Sequence, residues 1–406
     1  MSARVRWEDA DRPPLDLFLE ARGASAAELS PEPEAFLTAC FLPAMRDGER
    51  RVEVEGAVCA KLVEGLGHAA ALLRPAHAAG SEAPAIEPTR GLRALSPRRP
   101  ARAAMFFSGG IDTLEMLRRN RRDHRPGDPE SFAEAIWLFG HLCPTDARTL
   151  GWDRAALDAV APVIAREGLE LTTVRTNIWE LAPDIPFLGD ESLSSALASV
   201  PHTLGSRVDS VAVASGRDAR RERLRGSCPM LDPLYSTGAV EIRHEPNPLT
   251  RFERVQTIAQ SPELLENLVV CLAFPTAPEL NCGECEKCLR TMTALLAIGR
   301  LEGARRFPAR GVTPELLRAA PLDAPTAVYW DDFLPLLAER GRADLLDAIA
   351  ESRERARREA HWSADEGFRG TLRRLDRRYL GGRLLRMRRR LAGRGAPFRP
   401  TPLAGA

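Results

Sequence analysis

Residues 106–113 read Phe-Phe-Ser-Gly-Gly-Ile-Asp-Thr and lie between a short apolar run and a helical pattern. The two glycines thus fall where a buried strand passes into a helix, a position at which α/β folds bind anions. Glycine lets the backbone turn sharply and bring its N–H groups close to a phosphate. The stretch predicts a phosphate-binding loop in which Ser108 and Thr113 donate hydroxyl hydrogen bonds and Asp112 holds Mg²⁺ or caps the loop. A plain tight turn with a helix N-cap is the structural alternative.

Around this loop the sequence alternates between short apolar runs and helical stretches. Strands joined by helices predict a parallel sheet with helices on both faces. The predicted strands are residues 103–107, 135–139, 169–175, 209–214 and 240–243. Before them, the alternation at 51–58 predicts a strand, 59–73 a helix, and the Ala- and Pro-rich stretch 75–100 in part a linker.

The loop at 108–113 has the form SGG-x-D-[ST], which resembles the signature of the PP-loop ATP pyrophosphatases. Enzymes of that family split ATP between its α- and β-phosphates, transfer AMP to an oxygen of the substrate and release pyrophosphate. The resemblance implies a Rossmann-like (HUP-type) fold with a five-stranded parallel sheet and the loop after the first strand. It implies that Ser108 and Asp112 are catalytic and that ATP and Mg²⁺ bind here. It also implies an adenine site near the end of the second strand, at 138–141. The ATP-binding residues so implied are Ser108, Gly109, Gly110, Ile111, Asp112, Thr113, Phe139 and Gly140.

A second motif lies further along the chain. Cys271, Cys282, Cys285 and Cys288, four of the eight cysteines, are spaced C-x10-C-x2-C-x2-C. Four thiolates at short loop spacing fit a tetrahedral Zn²⁺ ion in a closed, structural site. Iron–sulfur proteins also use C-x2-C-x2-C spacing, but no electron-transfer signature accompanies the motif, so zinc is the prediction.

The SGG loop followed by C…CGxCxxC resembles the 7-cyano-7-deazaguanine synthase family over residues 101–300. Members of that family adenylate a carboxylate, admit ammonia to form an amide, and repeat the activation to form a nitrile. The resemblance implies an ATP-dependent, AMP- and pyrophosphate-forming C–N ligase. Its partners would be a small-molecule carboxylate and ammonia or an amine. The family lacks regions like 1–100 and 301–406, and its residues for the deazaguanine ring are not evident at 215–225. The resemblance therefore makes no prediction about the substrate of this chain.

Two other functions are compatible with the same motifs. A PP-loop tRNA-thiolating enzyme would use Cys143 and Cys228 for sulfur transfer and an Arg-rich tail at 368–399 for RNA contact. A non-catalytic ATP-binding protein of a defence or regulatory system would bind ATP without turnover. The segment 226–237 offers Asp232, Tyr235 and Ser236 as substrate contacts in a loop that is rigid in either case. The pair Arg251 and Arg254 meets phosphate or, on the simpler interpretation, lies on a solvated helix face.

Length and composition set the frame for these predictions. The chain has 406 residues, 44% of them hydrophobic and 28% charged, with a net charge of +1. These values are ordinary for a globular protein of two or three domains. There is no apolar run of about 18 residues and no signal peptide pattern at the N-terminus, which predicts a cytoplasmic protein without a membrane span. The predicted organisation is an N-terminal α+β region with linker at 1–100, a PP-loop domain at 101–300 with a zinc segment at 271–288, and a helical, Arg-rich extension at 301–406.

Overall fold

A computed structural model describes residues 1–76, 82–97, 101–140, 146–271, 273, 280–320, 322 and 324–363 of the chain. Its contacts divide the chain into two units, Met1–Thr250 and Arg251–Ala406. The strands all lie in the first unit among the described residues, and the cysteine motif lies in the second. The Arg-rich stretch 368–399, Cys143 and His141 lie outside the described residues.

The strands of the first unit are β1 (Ser2–Val5), β2 (Leu15–Arg22), β3 (Arg51–Val54), β4 (Val58–Cys59), β5 (Ala85–Pro88), β6 (Leu92–Arg93), β7 (Ala103–Phe106), β8 (Phe132–Phe139), β9 (Glu170–Thr176), β10 (Ser210–Asp218) and β11 (Glu241–Asn247). Its helices are α1 (Glu34–Asp47), α2 (Ala60–Leu73), α3 (Ile111–Asp123), α4 (Ala147–Arg166), α5 (Ile185–Phe187) and α6 (Leu193–His202). A 3₁₀ helix, Asp232–Tyr235, precedes β11.

The main sheet in the described residues has seven strands in the order β1-β2-β9-β8-β7-β10-β11. The five strands from β9 to β11 are mutually parallel, whereas β2 pairs antiparallel with β9 and β1 pairs antiparallel with β2. The sheet is therefore mixed, and the prediction of a purely parallel five-stranded sheet was wrong in strand number and direction. The α/β class itself is confirmed.

The two additional strands come from the N-terminal residues, which were predicted to form a separate α+β region. Strand β2 alternates apolar and polar side chains, and its Leu17 and Leu19 are buried on one face. An edge strand of a parallel sheet can be extended by an antiparallel neighbour when its apolar face completes the core. The stretch predicted in part as a linker likewise contains β5 and β6, which pair in parallel with β3 and β4.

The central strands are buried on both faces, as expected for parallel strands covered by helices. All four residues of β7 are buried, and so are six of the eight residues of β8. Right-handed crossovers place α3 and α4, which follow β7 and β8, on one face of the sheet and α6, which precedes β10, on the other. The strand order reverses at β7, which has β8 on one side and β10 on the other.

The second unit is helical in its described part. Its helices are α7 (Arg251–Ile258), α8 (Pro262–Glu266), α9 (Glu286–Ala297), α10 (Pro314–Ala319), α11 (Ala324–Asp331), α12 (Leu334–Glu339) and α13 (Ala343–Ser363). Trp330 and Phe333 are buried in its core, with ring centroids 5.6 Å apart. Throughout the described chain, every helix is too short or too polar to cross a bilayer.

Candidate functional site

The glycine loop follows the carboxyl end of β7, the strand at which the strand order reverses. In open α/β sheets this is where ligands bind, because the loops on either side of the reversal diverge and leave a crevice. Gly109 has φ +68°, a conformation that residues with a Cβ rarely adopt. A Cβ at Gly109 would lie 2.5 Å from Cγ1 of Val160 in α4. This close approach means that the loop has room for glycine alone at position 109.

Hydrogen bonds within the loop fix the backbone around Ser108. Its N–H donates to Oγ1 of Thr113 at 3.4 Å, and its own hydroxyl accepts from the Gly110 N–H at 3.4 Å. The Thr113 hydroxyl in turn donates to the Gly110 carbonyl at 3.1 Å. Thr113 is buried and Ser108 is exposed. The Thr113 hydroxyl therefore holds the loop, and Ser108 is the hydroxyl that a ligand can reach.

Helix α3 begins immediately after the loop. Gly110 is its N-cap, with φ −83° and ψ 167°, so the first N–H groups of the helix point towards the loop. Asp112 lies half-buried in the first turn, where the partial positive charge of the helix end favours a carboxylate. The side chain of Ile111 is buried in the core, so only its backbone is available to a ligand. Oxygen donors from Ser108, Asp112 and Thr113 are of the type that Mg²⁺ prefers.

The predicted adenine-binding positions lie at the end of the neighbouring strand. Phe139 is the last residue of β8 and is half-buried, with its ring centroid 6.4 Å from that of Trp137. Gly140 follows and is buried. Strand β8 is paired with β7, so Phe139 and the glycine loop lie at the same edge of the sheet.

On the other side of β7, the segment between β10 and β11 is organised by Asp232. The carboxylate of Asp232 is fully buried and accepts hydrogen bonds from Ser194, from Ser227 at 3.0 Å and from the Cys228 N–H at 3.1 Å. His244 of β11 contacts it as well, with Nδ1 2.8 Å from Oδ2. The sequence singled out Asp232 but not its histidine partner, since His244 directly follows the predicted strand 240–243 and only the three-dimensional pairing brings the two together.

The other side chains singled out in this segment are buried. Ser236 accepts a hydrogen bond from the Ile242 N–H at 2.9 Å, which is a structural role. The hydroxyl of Tyr235 is buried without a hydrogen-bond partner among the described residues. Burial, with the nearby charges of Asp232 and Cys228, raises the pKa of Tyr235. Cys228 is completely buried, and its proposed sulfur-transfer partner Cys143 lies outside the described residues.

In the second unit, the four cysteines of the motif converge. All four sulfur atoms lie within 4.8 Å of one another, so the group could hold a metal ion. The Sγ atoms of Cys271 and Cys285 are 4.0 Å apart, and those of Cys282 and Cys288 are 3.9 Å apart. Metal–sulfur bonds of about 2.3 Å in a tetrahedron give sulfur–sulfur edges of roughly 3.8 Å. The observed edges therefore fit one tetrahedral ion.

Backbone and side-chain groups hold the cysteines in place. The sulfur of Cys282 accepts hydrogen bonds from the N–H groups of Glu284 at 3.4 Å and Cys285 at 3.2 Å. Hydrogen bonds with the neighbouring thiols, first of all Cys271, and then with the Glu284 N–H lower the pKa of Cys282. A lowered pKa favours the thiolate, which is the form that binds metal.

Asn281 connects the two halves of the cysteine motif. Its side chain is fully buried, and Oδ1 accepts from the N–H groups of Val270 at 2.8 Å and Cys271 at 3.2 Å. Its Nδ2 donates to the carbonyls of Leu268 at 2.9 Å and Arg306 at 3.1 Å. One amide thus fixes the segment carrying the first cysteine beside the segment carrying the other three. The spacing of the cysteines alone gave no indication of this role.

The environment of Arg251 and Arg254, in the first turn of α7, differs from the one predicted. Arg254 is completely buried and Arg251 is 9% exposed, so the simpler interpretation of a solvated helix face was wrong. Arg251 lines a small cavity together with Phe252 and Val255.

Comparison of the chain with protein-family models, with curated proteins and with solved structures finds no match. The functional assignment accordingly depends on the geometry described above.

Proposed function

We propose that the chain is an ATP-dependent enzyme of the PP-loop type that adenylates a small-molecule carboxylate and transfers the activated group to ammonia or an amine. The observation that carries the proposal is the glycine loop after β7, at the reversal of the strand order. The order of the five parallel strands, counted from β7 along the chain, is 3-2-1-4-5, which matches the first five strands of the dinucleotide-binding order 3-2-1-4-5-6. This strand order supports nucleotide binding in general. The sequence of the loop at 108–113 favours PP-loop chemistry in particular.

The chemistry follows from the groups at the loop. A carboxylate oxygen of the substrate attacks the α-phosphorus of ATP, and the bond from that phosphorus to the bridging oxygen of pyrophosphate breaks. The N–H groups at the start of α3 and the Ser108 hydroxyl bind the negative charge that develops on the departing pyrophosphate. Asp112 would hold Mg²⁺, which neutralises phosphate charge when bound. The amine then attacks the acyl carbon, and AMP leaves.

The four-cysteine group supports zinc as the metal of the second unit. All four ligands would be protein sulfur, which leaves no open position for catalysis. Zinc would therefore stabilise the fold around Cys271 and the segment 282–288. The sulfur–sulfur edges near 4 Å match one tetrahedral ion and not a cluster of several irons. Of the single ions that four thiolates bind, zinc is the proposal because no electron-transfer signature accompanies the motif.

The test is ATP–pyrophosphate exchange on the purified protein with fractions of a small-molecule extract. The wild type and Asp112→Ala are compared with Asp123→Ala, a matched control at the exposed far end of the same helix. We expect exchange with one fraction in the wild type and the control, and its loss in Asp112→Ala. Exchange or AMP release with bulk tRNA alone would replace the proposal with a tRNA-modifying enzyme. ATP binding without turnover in any fraction would replace it with a nucleotide sensor.

A further inference from the structure

A histidine in β11 lies between two carboxylates. The side chain of His244 is 3% exposed, and its Nδ1 is 2.8 Å from Oδ2 of Asp232. Its Nε2 is 3.6 Å from Oε1 of Glu222, which is beyond hydrogen-bond distance. Among the described residues, Nε2 of His244 has no hydrogen-bond partner. This buried ring nitrogen therefore has unused hydrogen-bonding capacity, and the carboxylate of Glu222 faces it.

The hydrogen bonds of Asp232 fix which nitrogen of His244 carries the proton. Asp232 is fully buried and accepts from the Ser194 and Ser227 hydroxyls and from the Cys228 N–H. Because Asp232 already accepts from these three donors, its Oδ2 is placed as an acceptor for His244 as well. Nδ1 is then the donor, and Nε2 of the neutral ring carries the lone pair.

Glu222 is the member of the group that a ligand can reach. Its side chain is 16% exposed, whereas those of His244 and Asp232 are 3% and 0% exposed. Its Oε1 also accepts a hydrogen bond from the Ser215 hydroxyl, which holds the carboxylate over the end of β10. If Oε1 gained a proton, a movement of about 0.6 Å towards Nε2 would form a hydrogen bond of ordinary length.

The group lies at the ligand-binding edge of the sheet. Strand β10 pairs with β7, which leads into the glycine loop, and with β11, which carries His244. Two strand spacings separate β11 from β7, a distance of ~10 Å. Ser215, which holds Glu222, is on β10, one strand spacing or about 5 Å from β7. The acyl carbon of an acyl-adenylate is only two bonds from the α-phosphorus, so an amine that attacks it beside the glycine loop lies next to the end of β10.

We propose that Glu222, His244 and Asp232 form a proton relay that accepts the proton of the attacking amine; this inference rests on the proposed function. As the new C–N bond forms and the C–O bond to AMP breaks, the nitrogen loses one proton to Glu222. That proton passes from Oε1 of Glu222 to Nε2 of His244. The imidazolium so formed is stabilised by its hydrogen bond to Asp232, and the proton returns to water after AMP departs. Glu222 is the catalytic residue, and His244 and Asp232 are positioning residues that act through it.

The experiment measures the two half-reactions separately. ATP–pyrophosphate exchange reports adenylation, and incorporation of ¹⁵N from labelled ammonium chloride into the product reports nucleophilic attack, both with the extract fraction that supports exchange. Glu222→Gln keeps the size and the contact with Ser215 but removes the base. His244→Asn keeps the Nδ1-like donor to Asp232 but removes Nε2. The matched control is Glu241→Gln, at the exposed start of β11.

We expect Glu222→Gln and His244→Asn to lower ¹⁵N incorporation about 100-fold relative to exchange in the same preparation, and the control to change neither rate. Equal loss of both rates in Glu222→Gln would overturn the relay. An independent readout is the ¹⁵N spectrum of histidine-labelled protein. The relay requires the neutral ring of His244 to carry its proton on Nδ1, and a proton on Nε2 would overturn it. Absence of exchange in the wild type would instead refute the proposed function, and the ¹⁵N spectrum would then decide the relay by itself.

Discussion

Replacement of Gly109 by alanine tests the geometry of the glycine loop. Two separate penalties act at this position. The left-handed conformation, with φ +68°, costs an L-residue about 1–2 kcal/mol. In addition, the new Cβ would lie 2.5 Å from Cγ1 of Val160, about 1 Å inside an ordinary contact, and such overpacking costs about 1–3 kcal/mol. The reduced freedom of the unfolded chain offsets about 0.4–1 kcal/mol. We expect Gly109→Ala to lower the free energy of unfolding by about 2–4 kcal/mol.

Gly168→Ala provides the matched control. Gly168 has φ +65°, nearly the same as Gly109, but a Cβ there would meet no atom within 4 Å. This variant therefore carries the conformational penalty alone, about 1 kcal/mol after the unfolded-state gain. The difference between the two variants measures the contact with Val160. Val160→Ala removes the contacting methyl group, so the double variant should recover about 1–3 kcal/mol of that difference.

The assay is equilibrium unfolding in urea followed by tryptophan fluorescence, together with ATP binding measured by calorimetry. We expect Gly109→Ala to weaken ATP binding at least tenfold, because the loop must shift away from α4, and Gly168→Ala to leave it unchanged. The reasoning is refuted if Gly109→Ala is no more destabilising than Gly168→Ala. It is also refuted if Val160→Ala fails to relieve the difference, since the close approach would then be absent.

Three further predictions concern a buried histidine and the cysteine motif. Burial lowers the pKa of His202 from 6.5 to about 4. Between these two pH values the unfolded chain binds more protons than the folded chain, so the free energy of unfolding falls by about 3 kcal/mol as the pH drops from 6.5 to 4. Urea titrations at pH 7 and pH 4 measure this loss of unfolding free energy, which should be about 3 kcal/mol smaller in His202→Gln than in the wild type. Equal losses in the wild type and in His202→Gln would contradict the prediction. Cys285→Ser should lower the metal content measured by mass spectrometry, while Cys40→Ala, at a half-buried cysteine of the first unit, should keep it; equal metal in both would rule out the cluster as the site. Asn281→Asp loses the two bonds that Nδ2 donates, and its metal affinity in chelator competition should fall about 10- to 100-fold; an unchanged affinity would show that Asn281 does not position the ligands.

Local sequence signals were sufficient for the parallel part of the sheet. The apolar runs at 103–107 and 135–139 correspond to β7 and β8, because a strand buried on both faces is apolar throughout. The loop glycines were informative because their position between strand and helix restricts what they can do. The cysteine spacing was informative because thiols so close along the chain must also be close in space.

Features that depend on distant pairing had no such signal. The antiparallel pairing of β2 with β9 joins residues about 150 positions apart. The alternation of apolar and polar residues in Leu15–Arg22 predicts a strand but does not indicate which strand it pairs with. The contact between His244 and Asp232 likewise requires the fold, since neither residue type at that spacing is diagnostic. The burial of Arg254 was missed because composition places arginine at the surface by default.

The identity of the nucleotide products tests the central claim most directly. The protein would be incubated in parallel with α-labelled and γ-labelled ATP, each with Mg²⁺, ammonium chloride and the extract fraction that supports exchange, and the products would be separated by chromatography. The account predicts AMP and pyrophosphate in equal amounts, with loss of both in Asp112→Ala. Formation of ADP and phosphate by the wild-type protein would contradict it, because the glycine loop would then hold the nucleotide for cleavage at a different phosphorus atom.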